Sequence, residues 1–221
     1  MSRKKVYAIF DTETVGGKEK LIYDLGLVIA EKTGNSLTEK RWIIQETMTI
    51  PNIARQAFYG AKIHTFYKGM ATVPFAQARR EFNELLDNYN VTTITAYNLE
   101  FDKSALRDTL EFTGNSSHKF LARRIEFFDL WGAACNSIFQ HKNFQKTAVT
   151  NGWVSKAGNF RTNAETAYRY VTKDFQFEES HTALEDAQIE TVILQQILRQ
   201  KKRITRNEIV SQPWRKVQKG A

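Results

Sequence analysis

The chain has 221 residues, of which 42% are hydrophobic and 25% are charged. This length fits one large domain, and the hydrophobic content is sufficient for a buried core, which argues against a disordered chain. Because no run of 18 or more apolar residues occurs, we expect no membrane span. The single cysteine, Cys135, has no second cysteine with which to form an internal disulfide, so a reducing cytoplasmic location is the simplest expectation.

The net charge of +8 is concentrated near the C-terminal end. Residues 199–221 hold eight basic residues against one acidic residue, whereas the preceding 198 residues hold 24 basic against 23 acidic groups. We therefore divide the chain into a domain over 1–198 and a basic tail over 199–221. Such a tail favours contact with nucleic acid, although a solvated end that only aids solubility has the same composition.

The first half of the chain predicts an antiparallel opening followed by a helix. Apolar or β-branched runs predict three consecutive strands, at residues 6–10, 21–30 and 41–44. A turn at 32–35 makes the third strand return as a hairpin. A short helix is predicted at 52–59, and apolar side chains at helical spacing over 73–90, with Pro74 at the start, predict a longer one.

Strands and helices alternate in the second half of the chain. Strands are predicted at 92–97 and 124–129, and helices at 99–113, 130–139, 164–172 and 182–200. Gly114 follows the first of these helices, where glycine commonly ends a helix. Alternation after an antiparallel opening predicts an α/β layer fold with a mixed central sheet.

Two acidic residues follow the first predicted strand directly. Asp11 and Glu13 are two positions apart, and side chains at i and i+2 of a strand point to the same face. Two carboxylates on one face can share a divalent cation, because such ions prefer hard oxygen ligands. A D-x-E pair also occurs on solvated surfaces, so the pair alone leaves both interpretations open.

Polar residues also mark the starts of two predicted helices. Asp102 lies in the first turn of the helix over 99–113, where an acid commonly complements the helix dipole. Asn98 precedes that helix, either as an N-cap or to orient a ligand carboxylate or the substrate. His181 and Asp186 stand at the start of the last helix. Asp186 on a rigid element suits a metal ligand, and His181 on looser backbone suits a base that activates water.

Three segments together resemble a known family. The segments F-D-T-E-T at 10–14, N-L-E-F-D at 98–102 and H-T-A-L-E-D at 181–186 are similar in order and spacing to the motifs of the DnaQ-like (DEDD) 3′–5′ exonucleases. The histidine five residues before the last aspartate resembles the histidine subfamily, DEDDh. The resemblance spans residues 6–195.

The resemblance implies a fold, a metal site and a reaction. The fold is RNase H-like, with a mixed five-stranded sheet flanked by helices. Two Mg²⁺ or Mn²⁺ ions are held by Asp11, Glu13, Asp102 and Asp186, and such an ion pair stabilises the attacking and leaving oxygens of a phosphodiester displacement. His181 acts as the general base, and 5′-mononucleotides are released from a 3′ end.

The resemblance also implies which residues face the substrate. The stretch from Thr12 to Val15 is similar to the one that holds the terminal nucleotide in the family. A-K-I-H, ending at His64, resembles a segment that packs near the terminal base, and Phe101 resembles an aromatic that abuts the substrate, with core packing as its alternative. The full set of expected substrate-binding residues is Thr12, Thr14, His64, Asn98 and Phe101.

The sequence leaves more than one hypothesis open for the substrate and for the partner protein. Nucleic acid is the expected partner, and the opening motif favours single-stranded DNA over RNA. The alternatives are an RNA-trimming 3′–5′ exoribonuclease and a catalytically silent nucleic-acid-binding module of the same fold. The basic tail, which contains Pro213 and Trp214, is a candidate segment for docking onto a replication or repair protein, because exposed tryptophans are good anchors.

Overall fold

The structure is a computed structural model, and it describes residues 5–17, 19–200 and 202–217. Within those residues the centre is a six-stranded mixed sheet in the order β4-β3-β2-β1-β5-β6. The strands are β1 (Val6–Val15), β2 (Leu21–Glu31), β3 (Ser36–Ile44), β4 (Thr72–Val73), β5 (Thr93–Ala96) and β6 (Glu126–Asp129).

Helices cover both faces of this sheet. They are α1 (Gln45–Met48), α2 (Ile53–Gln56), α3 (Ala61–His64), α4 (Phe75–Asn88), α5 (Leu99–Phe112), α6 (Leu130–Asn136), α7 (Lys142–Thr150), α8 (Ala164–Thr172) and α9 (Ala183–Arg199), with short 3₁₀ turns at Ile138–Gln140 and Pro213–Lys216. Among the described residues no helix is both long enough and apolar enough to cross a membrane.

The antiparallel opening and the mixed sheet are confirmed. Strand β2 pairs antiparallel with both β1 and β3, whereas β5 pairs parallel with β1 and with β6. The expected number of five strands is wrong for the described residues, because β4 adds a sixth that lies parallel to β3. This strand has only two residues, and so short a pairing leaves no periodic pattern in a sequence.

Other elements also differ from the sequence prediction: β3 begins at Ser36 rather than at residue 41, and α1 and α3 were not predicted. Strand β1 continues past Phe10 to Val15, because its polar half keeps pairing with β2. The helix expected over 52–59 is the single turn α2, since Ala57 then pairs with Val15 in an isolated bridge. Helix α7 was not predicted.

Alternate residues of β1 serve two separate hydrophobic cores. Ala8 and Phe10 pack into a core that includes residues of α4 and α5. Tyr7 and Ile9 pack into a second core, on the side of α9. Because a strand alternates its side chains between its two faces, the later residues of β1 also point alternately toward the first core and toward the second.

Helix α9 begins against the middle of β2. A Cβ atom at Gly26 would lie 2.2 Å from the carbonyl carbon and oxygen of Ala183, so only glycine permits this approach. Asp24, two residues earlier, accepts a hydrogen bond from the Ala183 N–H at 3.1 Å. The start of α9 is therefore fixed beside the strands that carry the first acidic motif.

Residues 202–217 lie along the outer strand of the sheet and on the second core. The Asn207 N–H donates to the Phe127 carbonyl at 2.7 Å, and the Phe127 N–H donates to Asn207 Oδ1 at 3.2 Å. Val217 is buried in the second core, and Gln140 donates to the Lys216 carbonyl at 2.9 Å. This packing covers an edge strand that would otherwise expose unpaired backbone groups.

The basic character of this segment is displayed on its outer side. Exposed side chains include Lys202, Arg203, Arg215 and Lys216. The division of the chain between residues 198 and 199 stays a prediction. Parts of both predicted segments, residues 1–4, 18, 201 and 218–221, lie outside the described residues.

Candidate active site

Strand β1 directs its two acidic residues toward α9. Asp11 and Glu13 continue the face on which Tyr7 and Ile9 enter the second core. Their backbones pair with Gly26 and Asp24 of β2, and Glu13 is buried. The expected placement of both carboxylates on one face of the strand is therefore observed.

Helix α9 adds a third carboxylate at the same point. Asp186 lies in its first turn, where its N–H donates to the Thr182 carbonyl at 2.9 Å. Asp11, Glu13 and Asp186 each offer one oxygen, and these oxygens all lie within 4.8 Å of one another. Oδ1 of Asp186 is buried without a hydrogen-bond partner among the described residues. A set of hard oxygen donors with an unpaired member fits a divalent cation such as Mg²⁺ or Mn²⁺.

Asp102 reaches the site from the other face of β1. Thr12 points toward α5, and its hydroxyl donates to Asp102 Oδ1 at 2.8 Å. Asp102 is outside the group of oxygens that lie within 4.8 Å of one another. Among the neighbouring charges, however, that of Asp102 acts most strongly on Asp11. The structure thus gathers three of the four predicted ligands and holds the fourth beside Asp11.

The carboxylates resist ionisation in the absence of cations. Burial raises the pKa of Glu13 to about 9, and the charge of Asp186 adds to the effect. Burial likewise raises the pKa of Asp186 to about 8 and that of Asp102 to about 8, although the Thr12 hydroxyl opposes the shift at Asp102. The pKa of Asp11 is also raised well above its usual range, first by burial and then by Asp102. Bound cations would favour the charged forms.

His181 stands at the rim of the cluster. Its backbone is left-handed, with φ of 52°, and its carbonyl accepts a hydrogen bond from Lys62 Nζ at 3.3 Å. Its ring stacks on Tyr59 with the centroids 4.1 Å apart. Burial lowers the pKa of His181, and the positive charge of Lys62 lowers it further. The neutral imidazole, which can accept a proton, is therefore favoured near neutral pH.

A further carboxylate accompanies the histidine. Nδ1 of His181 lies 3.8 Å from a carboxylate oxygen of Glu179, and oxygens of Glu179 and Asp186 form with the imidazole a second group within 4.8 Å. Burial raises the pKa of Glu179 to about 7. Sequence reasoning missed this residue, although an acid two positions before the histidine was the available signal.

A buried aspartate secures the start of α9. Oδ2 of Asp24 accepts hydrogen bonds from the Tyr67 hydroxyl at 2.8 Å and from the Ala183 N–H at 3.1 Å. Nε of Arg41 lies 3.5 Å from the same oxygen. Burial raises the pKa of Asp24 to about 6, while Arg41 opposes the shift. Asp24 thus joins β2 to the start of α9 by buried hydrogen bonds. Sequence analysis did not identify this role.

The predicted substrate-facing residues occupy different places. Thr14 is buried in β1, whereas His64 is exposed at the end of α3. Asn98 is exposed and left-handed, with φ of 64°, and its carbonyl rather than its side chain caps α5 through the Phe101 N–H. Phe101 is half-buried, with Nζ of Lys20 lying 4.6 Å from its ring centroid.

An aromatic residue that sequence reasoning missed lies next to the histidine stack. Phe58 is 81% exposed, and its ring meets that of Tyr59 edge-on at 5.0 Å between centroids. Tyr59 in turn stacks on His181. An exposed aromatic ring beside a polar cluster offers a surface on which a ligand with a flat ring can stack.

Comparisons with known proteins relate the chain to exonuclease I at the level of fold. No protein-family model matches the chain, and no curated protein sequence matches it. The zinc-bound complex of E. coli ExoI with single-stranded DNA has a TM-score of 0.60 and 13% identity, over 90% of this chain and 41% of that one. E. coli exonuclease I with a dT13 oligonucleotide has a TM-score of 0.58 and 14% identity, over 88% and 41%.

A third solved structure extends the likeness to another organism. The moderately thermophilic exonuclease I of Methylocaldum szegediense has a TM-score of 0.58 and 13% identity, over 90% of this chain and 41% of that one. The chain therefore spans about two fifths of the length of these proteins. Its fold is the RNase H-like α/β fold of these exonucleases, as the sequence predicted.

The raised pKa values predict how metal-free stability depends on pH. Folded Glu13, Asp102 and Asp186 hold protons up to about pH 8 to 9, whereas unfolded carboxyls release them near pH 4. The folded state therefore binds more protons across this window, and its stability falls as pH rises through it. We expect the melting temperature in EDTA to fall between pH 6 and pH 9, with a shallower fall in Glu13→Gln.

Bound metal should oppose the fall in melting temperature with rising pH. Mg²⁺ competes with protons for the same oxygens, so the gain in melting temperature on adding Mg²⁺ should be larger at pH 9 than at pH 6. An equal pH dependence in the wild type and in Glu13→Gln would contradict the prediction.

Proposed function

We propose that this protein is a divalent-metal-dependent 3′–5′ exonuclease that acts on single-stranded DNA and releases 5′-mononucleotides. The observation that carries the proposal is the convergence of Asp11, Glu13 and Asp186, with Asp102 beside them and His181 at the rim. The fold shared with exonuclease I, whose structures were solved with single-stranded DNA, supports the choice of polymer.

The carboxylates would hold the cations, with Asp11, Glu13 and Asp186 as direct ligands and Asp102, whose charge acts strongly on Asp11, as the fourth. Two such ions, when bound, supply charge stabilisation to the attacking and leaving oxygens of phosphodiester hydrolysis. The Thr12 hydroxyl holds Asp102 in place on the opposite side of β1. These residues together fix where the scissile phosphate binds.

His181 takes the proton of the attacking water. Its lowered pKa keeps the ring neutral at the start of the reaction. The Glu179 carboxylate, 3.8 Å from Nδ1, is placed to stabilise the imidazolium that forms. Stacking on Tyr59 restricts the ring to one plane, and Lys62 fixes the backbone beneath it.

Phe58 would hold a base of the single strand. Base-on-aromatic stacking is tolerant of sequence, because every base has a π-face. The segment that carries Phe58 is held against the end of β1. Ala57 pairs with Val15, and the Gly16 N–H donates to the Gln56 carbonyl at 2.6 Å. A stack at this point would orient the strand relative to Glu13, two residues before Val15.

The basic tail is proposed as an additional contact for the polyanion. Its exposed Lys202, Arg203, Arg215 and Lys216 belong to the segment that packs along the body, so these four side chains present charge at a defined place. Docking of a replication or repair protein at this segment stays a separate prediction. Trp214 is half-buried there, and the Arg215 guanidinium lies over its ring at 5.5 Å.

The first prediction for activity concerns the carboxylates. Asp11→Asn and Asp186→Asn should each lower Mg²⁺-dependent cleavage by about 10³-fold or more, because each removes a charged ligand from the site. Purified protein is offered end-labelled single-stranded DNA, duplex DNA, RNA and circular single-stranded DNA in parallel. Glu84→Gln, which changes an exposed acid on α4, is the matched control and should cleave normally.

Three outcomes would contradict the proposal as stated. Activity that persists in excess EDTA would exclude metal dependence. Cleavage of the circular substrate would indicate an endonuclease, and faster degradation of RNA than of DNA would favour the exoribonuclease alternative.

The second prediction concerns the general base. His181→Ala should lower kcat by roughly 10²–10⁴-fold, the usual contribution of a positioned base. The gain in melting temperature with Mg²⁺ should be nearly unchanged, because the three converging carboxylates remain. Single-turnover rates and thermal melts measure the two effects separately, and an unaltered rate would remove His181 from the mechanism.

The third prediction concerns the exposed aromatic. Stacking on one base contributes about 1–3 kcal/mol, so Phe58→Ala should raise KM for single-stranded DNA roughly 5- to 150-fold. Phe58→Trp should retain most of the affinity, because it keeps a π-face. The control is Phe112→Ala, which removes another exposed phenylalanine at the far end of α5. Equal KM values for the wild type and Phe58→Ala would show that Phe58 does not hold substrate.

A further inference from the structure

Helix α9 carries a second buried acid one turn beyond Asp186. Glu190 follows Asp186 by four residues, so both side chains lie on the same face of the helix. Glu190 is 2% exposed. Its Oε2 atom is buried without a hydrogen-bond partner among the described residues. Neither the exonuclease motifs nor the proposed mechanism uses this residue.

The surroundings of Glu190 are those of the cation site. Burial raises the pKa of Glu190 well above its usual range, and the charge of Asp102, followed by those of Asp186 and Glu179, raises it further. Glu190 in turn is one of the charges that act on Asp11. Its carboxylate is therefore near acids contributed by β1, α5 and α9, and the charges that act most strongly on it are all negative.

A purely structural role does not explain a glutamate at this position. Burying a carboxylate without a positive partner costs stability, and an apolar side chain of similar size would be more favourable in a packed helix face. The neighbouring buried residues of α9 include Ala187, Ile193 and Leu194. The backbone N–H of Tyr97 favours the charged form of Glu190, but Oε2 is left without a hydrogen-bond partner among the described residues.

We propose that Glu190 is a positioning residue of the cation site, whose carboxylate increases the affinity of the Asp11, Glu13, Asp102 and Asp186 cluster for divalent cations. It is not one of the oxygens gathered within 4.8 Å of one another, so it acts through its charge on the ligands and on the ion. The inference rests on the proposed metal-dependent function.

The Tyr97 N–H favours the charged form of Glu190. Tyr97 directly precedes Asn98, where the chain turns from β5 into α5, the helix that carries Asp102. Glu190 is therefore placed near the start of the helix that carries Asp102 as well as on the helix that carries Asp186.

The test compares Glu190→Gln and Glu190→Leu with the wild-type chain. Binding of Mn²⁺ alone is measured by isothermal titration calorimetry, and melting temperatures are measured in EDTA and in Mn²⁺. Both variants should bind Mn²⁺ at least roughly tenfold more weakly, because one negative charge near the ion is lost. Glu190→Leu should also melt at a higher temperature in EDTA, because it removes an unpaired buried polar group.

The control separates this effect from a change in net charge. Glu84→Gln also removes one negative charge, but from an exposed pair with Arg80 on α4, and it should bind Mn²⁺ like the wild type. Variants of Glu190 that bind Mn²⁺ as tightly as the wild type, or that melt lower in EDTA while keeping the full gain with Mn²⁺, would overturn the inference and leave the proposed function intact. A wild-type chain that binds no Mn²⁺ would overturn both.

Discussion

Mutual repulsion among buried carboxylates is the constraint on which the rest of this structure depends. Asp11, Glu13, Asp102, Asp186 and Glu190 act on one another through their charges, and among the described residues Lys62 is the positive charge that opposes the rise in pKa at Glu13 and Asp186. Such an arrangement opposes folding unless protons or cations neutralise it. The surrounding packing must therefore hold these groups together against their own electrostatics. That is why the elements that carry them are tied by buried hydrogen bonds and close backbone contact rather than by flexible loops.

Strand β1 resolves this constraint by using both of its faces. Its odd-numbered residues pack into the second hydrophobic core and are followed on the same face by Asp11 and Glu13. Its even-numbered residues pack into the first core and are followed by Thr12, which donates a hydrogen bond to Asp102. Helix α9 meets the strand pair at Gly26, where the absence of a side chain sets the distance. The same alternation that builds the two cores thus brings carboxylates from two opposite layers to one edge of the strand.

The sequence predicted the parts of this site that obey local spacing. The positions of the i, i+2 carboxylates in β1 and of His181 and Asp186 at the start of α9 follow from strand and helix periodicity, whereas their joint role in one site came from the resemblance to the DEDD exonucleases. The alternation of elements predicted the mixed α/β sheet. The role of Asp24 could not be predicted from local spacing, because its partners Ala183 and Tyr67 are 159 and 43 residues away in the sequence. Glu190 resembles an ordinary helix charge until its burial is known, and the packing of residues 202–217 on β6 depends on an edge that only the folded sheet creates.

The end of β1 also determines where His181, the proposed base, lies. Beyond Glu13 the strand continues to Val15, whose bridge to Ala57 anchors the loop that supplies Tyr59 and Lys62 to His181. His181 itself occupies a left-handed backbone conformation, which is costly for a residue with a side chain unless its surroundings fix it. The stack and the lysine contact are those surroundings. The carboxylates of Asp11 and Glu13 and the loop that contacts His181 are therefore both held by the same ten-residue strand.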